Sequence, residues 1–229
     1  MLIKWGSIVV DGSGKLGGHV FSKSRGGATV RTLARADNPQ TSFQQNIRSR
    51  FTELSQGWSL LSESQRESWY RAESSFSRTN RFGDIVFLSG KNLYNSLNAQ
   101  RAIIGLDNLL IAPIPQGLNK SFISSAYIRL SENRIFINGR FSSSAQYVIV
   151  GTPALSQGTK FVKNSIRILG LGMSNANGDN IATFDKTYSD YVARFQTPID
   201  GQKIFIGAYT INESGQRSSM STVPARFIL

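Results

Sequence analysis

The 229-residue chain carries 26 Lys and Arg against 14 acidic residues, a formal charge of +12, with 40% hydrophobic content, which is enough for a packed core. It has no cysteine and one histidine, His19, which excludes disulfides, thiolate catalysis, Cys-ligated zinc and iron–sulfur centres and leaves soft-metal coordination a single imidazole with no second His or Cys beside it. The charge is spread, +7 through Lys120 and +5 beyond it, so an acidic surface or nucleic acid is implied as a neighbour without one concentrated patch. The opening MLIKWGSIVVDG has neither the basic start nor the apolar run of about 7–15 residues that marks a signal peptide. No stretch approaches the ~18 uninterrupted apolar residues of a membrane span. The expectation is a chain made in the cytoplasm, with no membrane partner, and either kept there or assembled into something larger.

Residues 1–36 read as a basic, glycine-rich β-arm. Ile8–Val10, His19–Ser22 and Ala28–Thr32 are β-prone, glycines separate them, and the Gly26-Gly27 pair between two alternating runs is a hairpin signal. With few large apolar residues for its length, the arm is expected to lie on another surface rather than bury itself.

Residues 37–110 change period. Phe43, Ile47, Phe51, Leu54, Trp58 and Leu61 recur at helical spacing, with Asn38-Pro39 and Thr41 or Ser42 placed to start the helix. Ser62 precedes Gln65 by three, a capping box that starts a second, antiparallel helix and turns Trp69 and Ala72 inward. Phe43, Ile47, Phe51, Leu54, Trp58 and Trp69 are therefore the expected helix core. Ser89 before GKNLYNSLNAQRAIIG predicts a third helix with Leu93, Leu97 and Ile104 near one face and Gly105 as its stop. FGDIVFLSG reads as a turn and a short strand.

IAPIPQGLNK, residues 111–120, opposes both helix and ladder and is expected to be a linker. Residues 121–229 then carry seven or eight short β runs, among them AYIRL, RIFING, QYVIVG, KFVKNSIRILGL, NIATF, DYVARFQT, KIFIGAYTI and SMSTVPARFIL, separated by turn clusters such as SNANGD and NESG. That count matches an antiparallel β-sandwich of immunoglobulin or fibronectin type III-like kind, although antiparallel barrels alternate in the same way. The expected fold class is thus α+β, a β-arm and helical hairpin region followed by a sandwich.

Reaction chemistry is hard to find. A triad or metal site would have to be built on His19 alone. GSGKLGG lacks the G-x-x-x-x-G-K-[ST] spacing and runs into a β-prone segment rather than a helix, so it is no phosphate loop. DNPQT and SNANGDN lack the carboxylate order of a calcium loop. No pair among the 14 acids stands out for glycoside hydrolysis, and Trp58 and Trp69 sit at packing positions. No catalytic residue, cofactor or metal is expected. What remains is Lys15, Lys23, Arg25, Arg31 and Arg35, a run with no acid between Asp11 and Asp37. These cations would either dock on acidic protein or hold phosphates; a five-phosphate contact would weaken steeply with salt.

GKLGGHVFSKSRGGATVRT, NPQTSFQQNIRSRF and WSLLSESQRESWYRA together resemble a group of tailed-phage and prophage virion structural proteins. The shared pattern comprises Gly14, Lys15, Gly17 and Gly18; Gly26, Gly27, Val30 and Arg31; Asn38, Pro39, Thr41, Gln44 and Arg48; and Gln65, Arg66 and Trp69. LSGKNLYNSLNAQRAIIG matches as well, so the resemblance covers about Met1 to Gly105. It implies a non-enzymatic virion protein, a capsid decoration or head-to-tail connector component, made in the host cytoplasm. Its partners would be capsid, portal or connector proteins in a symmetric assembly of many copies. The arm would add its backbone to a neighbour's sheet edge, and repetition would multiply weak contacts. The alternatives are a DNA-contacting virion protein that uses the arm on phosphates and, third, a wall- or carbohydrate-targeting module.

Overall fold

The structure is a computed structural model that describes all residues except 7–10, 36, 119–121, 130, 141–145, 174–180, 200 and 229. The β run expected at Ile8–Val10, the SNANGD turn and the end of the linker at Lys120 lie outside the described residues. The protein is α+β and divides into two compact units, one made of residues 1–99 with 109–115, the other of 100–108 with 116–229. The division between 115 and 116 falls inside the stretch read as a linker, while the last turn of a helix and the loop after it go with the C-terminal unit.

In the first unit, β1 (Leu2–Ile3), β2 (Gly14–Leu16), β3 (His19–Ser24) and β4 (Gly27–Thr32) form an antiparallel sheet in the order β1-β4-β3-β2. Two-residue loops join β2 to β3 and β3 to β4. Gly17 in the first loop has φ +54° and Gly27 after the second has φ +110°, backbone that a side chain resists. Ser24 pairs with Gly27, so the second loop is Arg25-Gly26, one position earlier than the Gly26-Gly27 signal suggested.

α1 (Ser42–Leu60) starts where Thr41 Oγ1 accepts the Gln44 N–H. α2 (Glu63–Arg71) starts at the capping box, with Gln65 N–H donating to Ser62 Oγ at 3.3 Å and Ser62 N–H to Gln65 Oε1 at 2.9 Å. A 3-10 turn (Ala72–Phe76) and a small ladder, β5 (Arg78–Thr79) with β6 (Ile85–Val86), lead to α3 (Gly90–Ile103). Beyond α3, Ile104 and Leu106 N–H both return to the Arg101 carbonyl, and Gly105 takes φ +74°. Leu54, Trp58, Leu61, Trp69, Leu93, Tyr94 and Leu97 make the core of the unit. Trp69 meets Tyr94 edge to face at 5.3 Å and donates its indole N–H to the Leu110 carbonyl. Gly57 lets α1 close on α3, since a Cβ there would stand 2.7 Å from the Tyr94 hydroxyl.

The expected helix core needs correcting in its first half. Leu54, Trp58 and Trp69 are buried, but Phe43, Ile47 and Phe51 are exposed at 55%, 47% and 58%. Length explains the difference. The 19 residues of α1 span about 28 Å whereas the nine of α2 span about 13 Å. The antiparallel partner therefore ends before it reaches the N-terminal turns of α1.

The second unit holds β7 (Phe122–Arg129), β8 (Arg134–Arg140), β9 (Gln146–Gly151), β10 (Leu155–Ser156), β11 (Arg167–Met173), β12 (Ile181–Thr187), α4 (Tyr188–Phe195), β13 (Gln202–Thr210) and β14 (Ser221–Ile228). Seven strands run β11-β9-β13-β14-β7-β8-β12, and β10 pairs with β13 off this path. The pairs are antiparallel except β14 with β7, which is parallel, Ala225 opposite Ala126. Ile128, Ile137, Ile204 and Ile206, all fully buried, line one face, where Tyr188, Tyr191, Val192 and Phe195 of α4 pack on them. Val148, Val150, Tyr209 and Ile211 pack with Ile103, Ile104, Ile166 and Ile168 in a smaller cluster.

The all-antiparallel pairing expected for this unit is corrected by the parallel β14–β7 pair. One mixed sheet curls until its end strands β11 and β12 approach each other, and DYVARFQT, read as a strand, supplies α4. Alternation reports that a strand buries one face but not what covers it. Tyr188, Tyr191, Val192 and Phe195 also fit helical spacing, so this short run satisfied two templates.

Candidate functional site

Cross-strand partners share a face of a sheet, so the register of the N-terminal sheet sorts the five cations of the arm. Lys15 pairs with Val20 and Val20 with Arg31, which sets Lys15 and Arg31 in one row on one face, about 10 Å apart from two strand spacings. Lys23 lies on the opposite face with Phe21 and Ala28 and donates to Asp11 Oδ2 at 2.8 Å. That hydrogen bond first, then the Gly12 N–H, holds the Asp11 carboxyl below its usual range. Arg25, in the loop between β3 and β4, pairs with Glu73 at 3.0 Å. Arg35 is exposed beyond the end of β4. The structure therefore brings two of the five together, neutralises two others, and leaves the fifth apart from them in the chain after the sheet.

The sheet is one layer thick. Ala28 is its one buried residue among those described, and Trp5 stands beside Phe21 with ring centres 5.8 Å apart. Among the described residues no strand pairs with the outer edge of β2, and the hydrogen bonds show which groups that edge offers. Leu33 N–H donates to the Gly18 carbonyl, the wide-pair bond that flanks His19 and Thr32, so the backbone of His19 turns toward β2 and bonds with Leu16. Lys15 is then the non-bonded position of the β2–β3 ladder, and its N–H and C=O point outward along the free edge. Leu16 beside it is 72% exposed. His19 is also exposed, opposite Thr32, with no acid beside it in the ladder.

Glu73 is the residue that sequence reasoning missed. One carboxylate oxygen takes Arg25 and the other the Gly90 N–H at 2.6 Å, at the start of α3. It thus joins the arm's loop to the helices, 48 residues apart in sequence from Arg25. Lys4 makes a second tie, to Asp84 at 3.2 Å, with Phe82 beneath its ammonium. The Asn80 side chain first, then Lys4, keeps the Asp84 carboxyl below its normal range. All these ion pairs are solvent-exposed to a degree that makes them positioning devices more than sources of stability. No local pattern in the sequence marks Glu73 or Asp84 as partners of the arm.

Among the described residues there is no group of three or more His, Cys, Asp or Glu placed to hold a metal ion, and no helix is long and apolar enough to cross a membrane. The site presents an outward backbone donor and acceptor, an exposed leucine and two aligned cations.

No family model matches the chain, and no curated protein matches it. Among solved structures, a beta-1,2-glucanase from Parabacteroides distasonis aligns over 53% of this chain and 15% of its own, at 15% identity and a TM-score of 0.28. The chain thus spans a small part of that enzyme's length, and at that score the alignment carries no argument about fold or activity.

Proposed function

We propose that the protein is a non-enzymatic structural component of a tailed-phage particle, a capsid decoration or head-to-tail connector protein, that docks through its N-terminal sheet. The phage setting comes from the motif resemblance over Met1 to Gly105. The docking mode rests on one observation: a sheet whose β2 edge, unpaired among the described residues, turns the Lys15 N–H and C=O outward beside an exposed Leu16. A neighbour's strand can add to that edge, and Lys15 and Arg31 select for an acidic one. The C-terminal unit, whose curled sheet buries its own core, is the body so attached, in many copies around a symmetric particle.

Lys15→Pro removes the outward N–H without touching the bonds to β3. Purified particles carrying this variant should lose the chain on a gel, while its thermal unfolding in isolation stays that of the parent; particles containing it at the parental level would end the edge-docking reading. The aligned pair Lys15 and Arg31 favours one other reading, contact with packaged DNA. It predicts a slope of log affinity against log salt of about −2 on duplex DNA, where five cations would give about −4.5.

A further inference from the structure

The outer face of α1 from Ile47 to Leu60, which includes Ile47 and Phe51 expected in the core and found at the surface, lines an open groove of about 1070 Å³. Its floor is laid by two adjacent i, i+4 rows of the same helix: Ile47, Phe51, Ser55 and Ser59 in one, Arg48, Thr52, Gln56 and Leu60 in the other. Large apolar groups stand at both ends, Phe51 at 58% exposure and Leu60 at 87%, and small serines lie between them. That is a ridge-and-groove surface shaped to receive another helix, since small side chains between ridges let a second axis approach closely.

Charge selects the occupant. Arg48 lies in the groove, held by its hydrogen bond to Asn38, and Lys91 from the first turn of α3 stands at the rim. Neither makes an ion pair among the described residues, and no carboxylate lines the groove. A second copy of this chain would bring the same cations to the same place, and its net charge of +12 adds repulsion. We infer that this groove is a docking site for an acidic amphipathic helix of another protein, with Phe51, Ile47 and Leu60 taking its apolar side chains and Arg48 and Lys91 its carboxylates. In the helix-in-groove mode the docking helix carries apolar anchors at i, i+3, i+4 and i+7, and Ile47, Phe51 and Leu60 are the apolar surface such anchors would meet. This contact is separate from the β2 edge and stands or falls independently of it.

The test uses the full chain and a fluorescent synthetic helix of about three heptads, leucines on one face and glutamates elsewhere, with a lysine-for-glutamate copy as control. The acidic helix should bind and the basic one should not. Phe51→Ala and Lys91→Glu should each weaken binding about tenfold with unchanged thermal unfolding, because both side chains are exposed. Amides of the first turns of α1 should gain protection from hydrogen exchange on binding. The Lys15→Glu, Arg31→Glu double variant should bind as the parent does. Equal binding of both helices, no binding of either, or loss of binding in the double variant but not in Phe51→Ala would overturn the inference. So would concentration-dependent dimers of the protein alone that Phe51→Ala abolishes, because the occupant would then be a second copy.

Discussion

The two large sheets of this protein use the same pairing chemistry and reach opposite states of burial. In the C-terminal unit Ile128, Ile137, Ile204 and Ile206 are fully buried, whereas among the described residues of the N-terminal sheet only Ala28 is. The difference lies in what covers them. The curled sheet closes over α4 and its own inner face, while the N-terminal sheet has Trp5 and two ion-paired loops. The curled sheet buries its own core, whereas the described residues of the N-terminal sheet stay mostly at the surface. The same contrast recurs inside α1, whose second half sits under α2 and α3 and whose first half does not.

Removing cover where it exists should cost the most. Trp69 is fully buried and hydrogen-bonded to the Leu110 carbonyl. Trp69→Ala should lower stability by about 3 to 5 kcal/mol, read as a drop in the unfolding midpoint in denaturant. A variant as stable as the parent would mean that the helical core does not carry its unit.

A smaller effect is expected at the cover of the curled sheet. The Tyr191 hydroxyl donates to the Thr152 carbonyl at 2.9 Å, and burial, with Tyr188 nearby, pushes its pKa well above that of a free phenol. Tyr191→Phe should cost about 1 kcal/mol. The sign of its pH dependence follows from the raised value. The neutral phenol is favoured in the fold, so its contribution is complete below the unfolded pKa of about 10 and is lost as pH rises above it. Stability measured from pH 8 to 11 should fall less steeply in Tyr191→Phe than in the parent; parallel curves would rule out Tyr191 as a source of the alkaline loss.

The least effect belongs to the uncovered sheet. Arg25→Ala breaks an exposed ion pair and should change stability by about 0 to 1 kcal/mol, within reach of careful denaturant titration. A larger loss would show the N-terminal sheet to be as dependent on its own body as the curled sheet is on α4.

Local signals carried most of the helical region. Thr41, the Ser62 and Gln65 box and Gly105 each sit where the backbone needs that side chain or its absence, so they were readable from a few neighbouring residues. What escaped depended on distant lengths and partners. Periodicity put Phe43, Ile47 and Phe51 on the same face as Leu54 and Trp58, correctly, but burial of that face depended on α2 being nine residues long. The five cations of the arm were adjacent in sequence, yet strand alternation sent Lys23 to one face and Lys15 with Arg31 to the other, and Glu73 reached Arg25 from a different element. In the C-terminal unit the alternation of β13 was legible, while the parallel pairing of β14 with β7 joins segments that no local pattern links.

That parallel pairing has a consequence for how the protein is made. β14 is the strand that bridges β11-β9-β13 to β7-β8-β12, and Ala225 meets Ala126 only when the chain between them has been synthesised. Until residues 221–228 are made, no strand joins β11-β9-β13 to β7-β8-β12, and β13 and β7 each lack the neighbour they have in the finished sheet. Closure is a late, long-range event, and strand edges left unpaired before it are the kind of surface through which chains aggregate.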